Sequence, residues 1–218
     1  MEDAVYLADR ESARSRMAED WNFLTGLLVA GQTAPKNDRA VRTRVPLSIL
    51  SGFLGAGKTT LVNHLLANPA GKRLLVLVND FGSINIDEKL IVGRSMGTLA
   101  LSNGCVCCSL AGDLARKLRE ITDAEDQPDA IILEASGLSD AHALAYIVDT
   151  NAGIELDGVV TILDAERLLE QGADPLTADL VTKQIAGADL LILNKLDVVS
   201  PSEREAAIHW LQQHGGGR

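Results

Sequence analysis

The sequence predicts an α/β fold in which a mostly parallel sheet is flanked by helices, and three observations carry that expectation. From Val45 onward, short aliphatic runs alternate with stretches of helical period, the signature of βαβ units. The runs are continuous instead of alternating, as strands covered on both faces require. Residues 52–59, Gly-Phe-Leu-Gly-Ala-Gly-Lys-Thr, form a glycine-rich turn between one such run and a helical stretch, the strand, loop and helix order of a parallel α/β unit.

Residues 1–44 form an N-terminal extension and linker. Mixed charges, among them Asp9, Arg10, Glu11, Arg14, Arg16, Glu19 and Asp20, precede an apolar stretch from Trp21 to Ala30 that reads as a helix. Gly31 to Pro35 and the polar run Lys36 to Arg44 read as a tether, because such a composition buries too little apolar surface to offset its ordering entropy. No chemistry is assigned there. The domain proper spans 45–218, with strands expected at Pro46–Ser51, Arg73–Asn79, Ala130–Leu133, Gly158–Leu163 and Asp189–Asn194. Thr60 to Ala67 continues the glycine-rich turn as a helix. Leu110, Leu114, Leu118 and Ile121 recur at helical spacing on one face, and Leu138, Ala141, Leu144, Ala145 and Val148 on another. A last helix opens at Ser200-Pro-Ser-Glu203, where Ser200 caps, Pro201 suits the first helical position and Glu203 completes a capping box.

A chain of 218 residues has room for one such domain and a modest extra segment, but not for two full domains. Its 46% hydrophobic and 23% charged residues are ordinary for a globular protein, and 3% aromatic residues point to an aliphatic core. The net charge of −10 argues against a nucleic-acid or anionic-membrane partner, since both need a basic face. Any phosphate site must therefore be local. No apolar run approaches the roughly 18 residues that span a bilayer. The chain opens on Glu2 and Asp3 instead of a basic segment, so the expected compartment is the cytoplasm.

Gly52, Gly57, Lys58 and Thr59 fit G-x-x-x-x-G-K-[ST], the P-loop pattern. Gly52, Gly55 and Gly57 let backbone N–H groups turn toward phosphate oxygens, and the start of the helix at Thr59 and Thr60 adds its positive dipole end. Lys58 is the group that reaches the β- and γ-phosphates, and Thr59 the Mg²⁺ ligand. Asn194-Lys-Leu-Asp197 follows the aliphatic run Leu190–Leu193 with the N-K-x-D spacing that reads guanine. The Asp197 carboxylate accepts from guanine N1–H and the 2-amino group while the Lys195 stem lies over the ring; adenine offers no matching pair of donors. Four residues alone are a weak signal, but beside a P-loop they favour GTP over ATP. Glu134, at the end of Ile131-Ile-Leu-Glu, is a Walker B-like acid suited to holding Mg²⁺ or orienting the attacking water; the plainer alternative is a solvated charge at a strand end. Asp80, in Asn79-Asp-Phe-Gly82, is a second acid on the Mg²⁺ side, with an ordinary Asp-x-Gly turn as its alternative.

All 3 cysteines, Cys105, Cys107 and Cys108, lie in Asn103-Gly-Cys-Val-Cys-Cys-Ser109, which reads as a metal or redox site instead of a disulfide framework. Thiolates just before a helix suit Zn²⁺, and on softness also Cu(I). Adjacent Cys107 and Cys108 are crowded for one ion, and a fourth ligand would come from water, a carboxylate or another chain. The alternative is three small cysteines filling a turn. His64, His142, His209 and His214 show no ligand spacing and read as structural or exposed.

With these motifs assembled, the chain resembles the CobW-type GTPases, in the class that also includes the hydrogenase and urease nickel-insertion GTPases (HypB and UreG). The matching residues are Gly52 to Thr60, Asn79 to Gly82, Ser102 to Cys108, Glu134 to Gly137, Leu156 to Thr161 with Asp164-Ala165, Gln184-Ile185 and Asn194 to Asp197. The Cys-x-Cys-Cys element separates the CobW type from the nickel-insertion proteins. The resemblance implies a SIMIBI-class P-loop NTPase fold and a GTP-hydrolysing metallochaperone, most often for zinc, in which nucleotide state controls metal transfer. The implied partners are GTP, a metal-receiving client protein and a second copy of the chain, with no nucleic acid and no membrane. Three departures stand out. Asp80 replaces the usual Glu, Ser83 stands where an acid is common, and the family pattern runs on beyond the length of this chain, so the domain is expected to be truncated at its C-terminus. A GTP- and metal-binding switch that hydrolyses little, or an inactive fragment, are the alternative readings.

Overall fold

The computed structural model describes residues 5–8, 44–78, 97–100, 108–139 and 141–214, with the backbone alone described at 5–8, 97–100 and 108–111. Within them run β1 (Val5–Ala8), β2 (Val45–Ser51), α1 (Lys58–Ala67), β3 (Leu74–Val78), β4 (Gly97–Ala100), α2 (Cys108–Asp123) and β5 (Ala130–Glu134). There follow α3 (Ala141–Asp149), β6 (Ile154–Asp164), α4 (Leu168–Ala173), α5 (Ala178–Ala186), β7 (Leu190–Asn194) and α6 (Pro201–His214). The expected Trp21–Ala30 helix, most of the tether, Asn79 to Gly82, Cys105 and Cys107 lie outside the described residues.

The strands form one sheet in the order β1-β7-β6-β2-β5-β3-β4. Every described pairing is parallel except that of β1 with β7, which is antiparallel, Val5 opposite Leu193 and Ala8 opposite Leu190. All five expected strands are present, and the aliphatic runs explain why: each is buried on both sides. Leu50, Leu74, Val76, Ala130, Ile132, Val160, Ile162, Leu190 and Ile192 pack on one face against Leu61, Val62 and Leu65 of α1. On the other face Leu47, Ile49, Leu75, Leu77, Ile131 and Leu133 meet Leu114, Leu118 and Ile121 of α2 and Ala141, Leu144 and Val148 of α3. Farther along, Leu163, Leu191 and Leu193 meet Leu168 of α4, Val181 and Ile185 of α5, and Ala207 and Leu211 of α6.

Four differences from the sequence reading have physical causes. β6 begins at Ile154, before the expected Gly158, because Ile154, Glu155 and Leu156 pair with Val45, Pro46 and Leu47; the register then slips so that Asp157 is bulged out and Gly158 faces Ser48. Leu138 is 60% exposed in the turn before α3 and does not share the buried face of Ala141, Leu144 and Val148. β1 and β4, of four residues each, carry too little aliphatic run to announce themselves, and sheet pairing supplies what their pattern lacks. The short α4 and α5 likewise had no clear signal, although Val181 and Ile185 stand four apart on a buried face. Ser200 does cap α6: Glu203 N–H donates to Ser200 Oγ at 3.3 Å, and Ser200 N–H to the Glu203 carboxylate at 2.8 Å. No helix among the described residues is long and apolar enough to cross a membrane.

Candidate nucleotide site

The chain leaves β2 for β3, two positions away, then returns to β5 and crosses to β6 on the other side of β2. That reversal makes the C-terminal end of β2 a topological switch point, where open parallel sheets place their ligands. Residues 52–57 connect β2 to α1 at that point. Three glycines there take left-handed backbone, Gly52 at φ 132°, Gly55 at 79° and Gly57 at 109°. Space separates two of them: a Cβ on Gly52 would sit 2.1 Å from the Ile162 carbonyl oxygen, a backbone atom, whereas one on Gly57 would sit 2.4 Å from Asn194 Nδ2, the tip of a side chain. No side-chain hydrogen bond caps α1, so its first N–H groups are left to the loop mouth.

Lys58 is only 8% exposed, and its ammonium donates to the carbonyls of Gly52 at 2.8 Å and Phe53 at 3.1 Å, so the loop curls around the cation. It is a buried positive charge at the centre of the loop in a chain of net charge −10. Thr59 Oγ1 donates to Glu134 Oε1 at 2.8 Å. Glu134, 6% exposed, is the last residue of β5 and lies opposite Leu50 in the register, which brings the expected acid to the expected hydroxyl across 75 residues of chain. The Ala135 N–H donates to the Leu50 carbonyl at 2.9 Å and continues that alignment into the next loop. Thr60 is on the exposed side of α1.

The Asn194 to Asp197 segment reaches the same end of the sheet. Asn194 Nδ2 donates to the Ala56 carbonyl at 2.9 Å, tying the end of β7 to the glycine-rich loop. Lys195 takes φ 63°, a left-handed conformation that costs a non-glycine residue about 1 kcal/mol. Its ammonium lies 2.6 Å from the buried carboxylate of Asp164, at the end of β6. Asp197 is exposed. Gln184, buried in α5, donates to the Gly137 carbonyl at 3.1 Å and so supports the loop after Glu134. Asp164 and Gln184 stand among the residues that match the family in the sequence, but the sequence assigned neither a chemical role. The available signals were an acid closing an aliphatic strand, as Glu134 does, and a glutamine among Val181 and Ile185 on a buried face.

Hard oxygen donors side by side, Thr59 and Glu134, are a donor set that suits Mg²⁺. Ser51 Oγ, Ser139 Oγ and Gln184 Oε1 are buried polar atoms with no hydrogen-bond partner among the described residues, and all three border the loops after β2 and β5. Of the remaining expected residues, Asp80, Cys105 and Cys107 lie outside the described residues, and Cys108 opens α2 with its side chain not described. Among the described residues no group of three or more His, Cys, Asp or Glu is placed to hold a metal ion.

A family model described as the CobW/HypB/UreG nucleotide-binding domain matches residues 46–216. The chain belongs to the CobW/HypB/UreG family. The match begins at the second residue of β2 and runs past the end of α6, taking in every element of the site. Among CobW-family relatives, the zinc chaperone CobW of a Sinorhizobium species is 32% identical over 197 residues, covering 77% of this chain and 55% of that protein. The zinc-regulated GTPase metalloprotein activator 1 of Dictyostelium discoideum is 33% identical over 209 residues, covering 78% of this chain and 44% of that protein. Among solved structures, the zinc-bound YjiA GTPase of Escherichia coli superposes with a TM-score of 0.56 at 26% identity, covering 78% of this chain and 54% of that one. The CobW-family chain described here thus spans about half the length of the curated relatives it matches.

Proposed function

We propose that this chain binds GTP at the loop of residues 52–59, hydrolyses it to GDP and phosphate, and couples that cycle to handing a metal ion, zinc first, to a client protein. The observation that carries the nucleotide reading is the Asn194 to Ala56 hydrogen bond, because it joins the base-reading segment to the phosphate loop as one site. The loop N–H groups and Lys58 hold the β- and γ-phosphates, and burial of Lys58 among carbonyls keeps the cation at the loop centre. Asp197 reads the guanine edge. Glu134, held by Thr59, orients water for in-line attack or serves the metal side of the site. Mg²⁺, held by Thr59 and Glu134, would neutralise charge on the β- and γ-oxygens. Asp80 is proposed as a second acid of that site.

Zinc is cargo in this reading, carried by Cys105, Cys107 and Cys108, and the similarity to zinc chaperones and to a zinc-bound GTPase supports that choice. The soft thiolates suit Zn²⁺ and also Cu(I). Calorimetry with GTP and ATP in the presence of Mg²⁺ tests the nucleotide assignment, with selective micromolar to millimolar GTP affinity expected and its absence decisive against it. Single-turnover hydrolysis with and without Zn²⁺ tests turnover; a rate no faster than free GTP leaves a binding switch. Replacing all three cysteines should abolish stoichiometric zinc, and unchanged zinc content would remove the metal site.

A further inference from the structure

We propose that Asp164 is a positioning residue for base recognition: it anchors the ammonium of Lys195 so that the lysine stem is laid out as the floor under the guanine ring. The proposal rests on the GTP reading above and adds to it a residue from a different strand.

Asp164 ends β6 directly beside Asn194, the end of β7, in the parallel register. Both of its carboxylate oxygens are engaged. Oδ1 accepts from the Glu166 N–H at 3.1 Å, which fixes the turn leaving β6, and Oδ2 accepts from Lys195 Nζ at 2.6 Å. The two strand ends are locked a second time by the Ala165 N–H donating to the Asn194 carbonyl at 3.0 Å. The Asp164 side chain is 2% exposed and that of Lys195 is 34% exposed, so the anion is fixed inside and ties down the end of a partly solvated lysine.

As a device for stability this arrangement is poor. Burying a carboxylate sacrifices hydration that one partly solvated lysine does not fully restore. Lys195 also holds a left-handed backbone at φ 63°, which glycine would adopt without strain. Two unfavourable choices at adjoining strand ends have one common effect, a lysine whose backbone direction and terminal charge are both fixed. A free lysine stem samples many rotamers, few of which would lie flat under a base. Anchoring removes that loss before the ligand arrives. The stem contacts the ring face, so its contribution is blind to the exocyclic groups that Asp197 distinguishes.

The test compares the wild-type chain with Asp164→Asn, which keeps an oxygen for the Glu166 N–H and removes the charge that holds Lys195. GTP, inosine triphosphate, ATP and inorganic tripolyphosphate are titrated by calorimetry with Mg²⁺. The expected result is about tenfold weaker binding of both GTP and inosine triphosphate, with tripolyphosphate unchanged. Lys195→Met alone should weaken GTP comparably, and the double variant should be no worse than the single ones. Unchanged GTP affinity in Asp164→Asn overturns the proposal, as does a parallel loss of tripolyphosphate, which would mean that the residue supports the loop as a whole. Wild-type chain that does not prefer GTP to ATP defeats the nucleotide reading itself, a result distinct from a selective wild type with an indifferent variant.

Discussion

At the scale of single residues, two glycines of the same loop are required for different reasons, and their substitutions should part accordingly. Gly52→Ala drives a Cβ to 2.1 Å from a backbone carbonyl of β6 that has no room to move, at φ 132°. A loss of about 3 kcal/mol or more is expected, read by urea denaturation. Gly57→Ala meets only the tip of the Asn194 side chain, which has freedom to rotate away. Its stability cost should be nearer 1 kcal/mol, the ordinary penalty of a left-handed alanine. The larger consequence falls on recognition, because rotating Asn194 breaks its bond to Ala56. The GTP over ATP preference should shrink in Gly57→Ala while the fold survives; equal loss of both nucleotides would show that Asn194 does not link the two segments.

At the scale of elements, α6 shows how a local sequence signal becomes a boundary. Ser200 and Glu203 exchange hydrogen bonds at its start, and the Ser200 hydroxyl and N–H hold the Glu203 carboxyl below its usual range. A depressed carboxylate contributes stability that is present above its ordinary pKa and lost as pH falls through the folded value. Ser200→Ala should therefore lower Tm by about 2–4 °C at neutral pH and flatten the acid side of the Tm against pH curve. An unchanged acid limb would contradict the capping assignment. β6 illustrates the opposite case. Its opening residues, Ile154-Glu-Leu-Asp157, alternate apolar with acidic side chains instead of forming a continuous aliphatic run, and pairing with β2 extends the strand back to Ile154.

For the whole molecule, the two apolar faces of the sheet leave little tolerance at its centre. Leu133 is fully buried among α2, α3 and the neighbouring strands, so Leu133→Ala should cost about 3 kcal/mol in chemical denaturation. The end of the sheet away from the nucleotide site carries a different tension. Partial burial pushes the Asp157 carboxyl up, the Ser48 hydroxyl pulls it back, and Glu155 and Asp189 push it up further. A raised folded pKa means that the native state holds the proton longer than the unfolded chain. Stability contributed by that proton is lost as pH rises from the ordinary aspartate value through the folded one. Asp157→Asn should remove that decline and leave the chain slightly more stable at neutral pH, by about a few tenths of a kcal/mol, because the side chain keeps much of its surface in water despite its partial burial. A steeper decline in the variant would refute the sign.

The chain's own letters determined the parallel α/β fold, because short continuous aliphatic runs alternate with helical stretches that can cover both faces of the sheet. They also placed residues 52–59, Glu134 and Asn194 to Asp197 at strand ends, since each motif abuts an aliphatic run that reads as a strand. What they left open was decided by pairing at a distance. β1 joins β7 through backbone hydrogen bonds, which carry no side-chain signature. Asp164 meets Lys195, and Gln184 meets Gly137, only because strand order and register bring those positions together, and no local periodicity encodes that order.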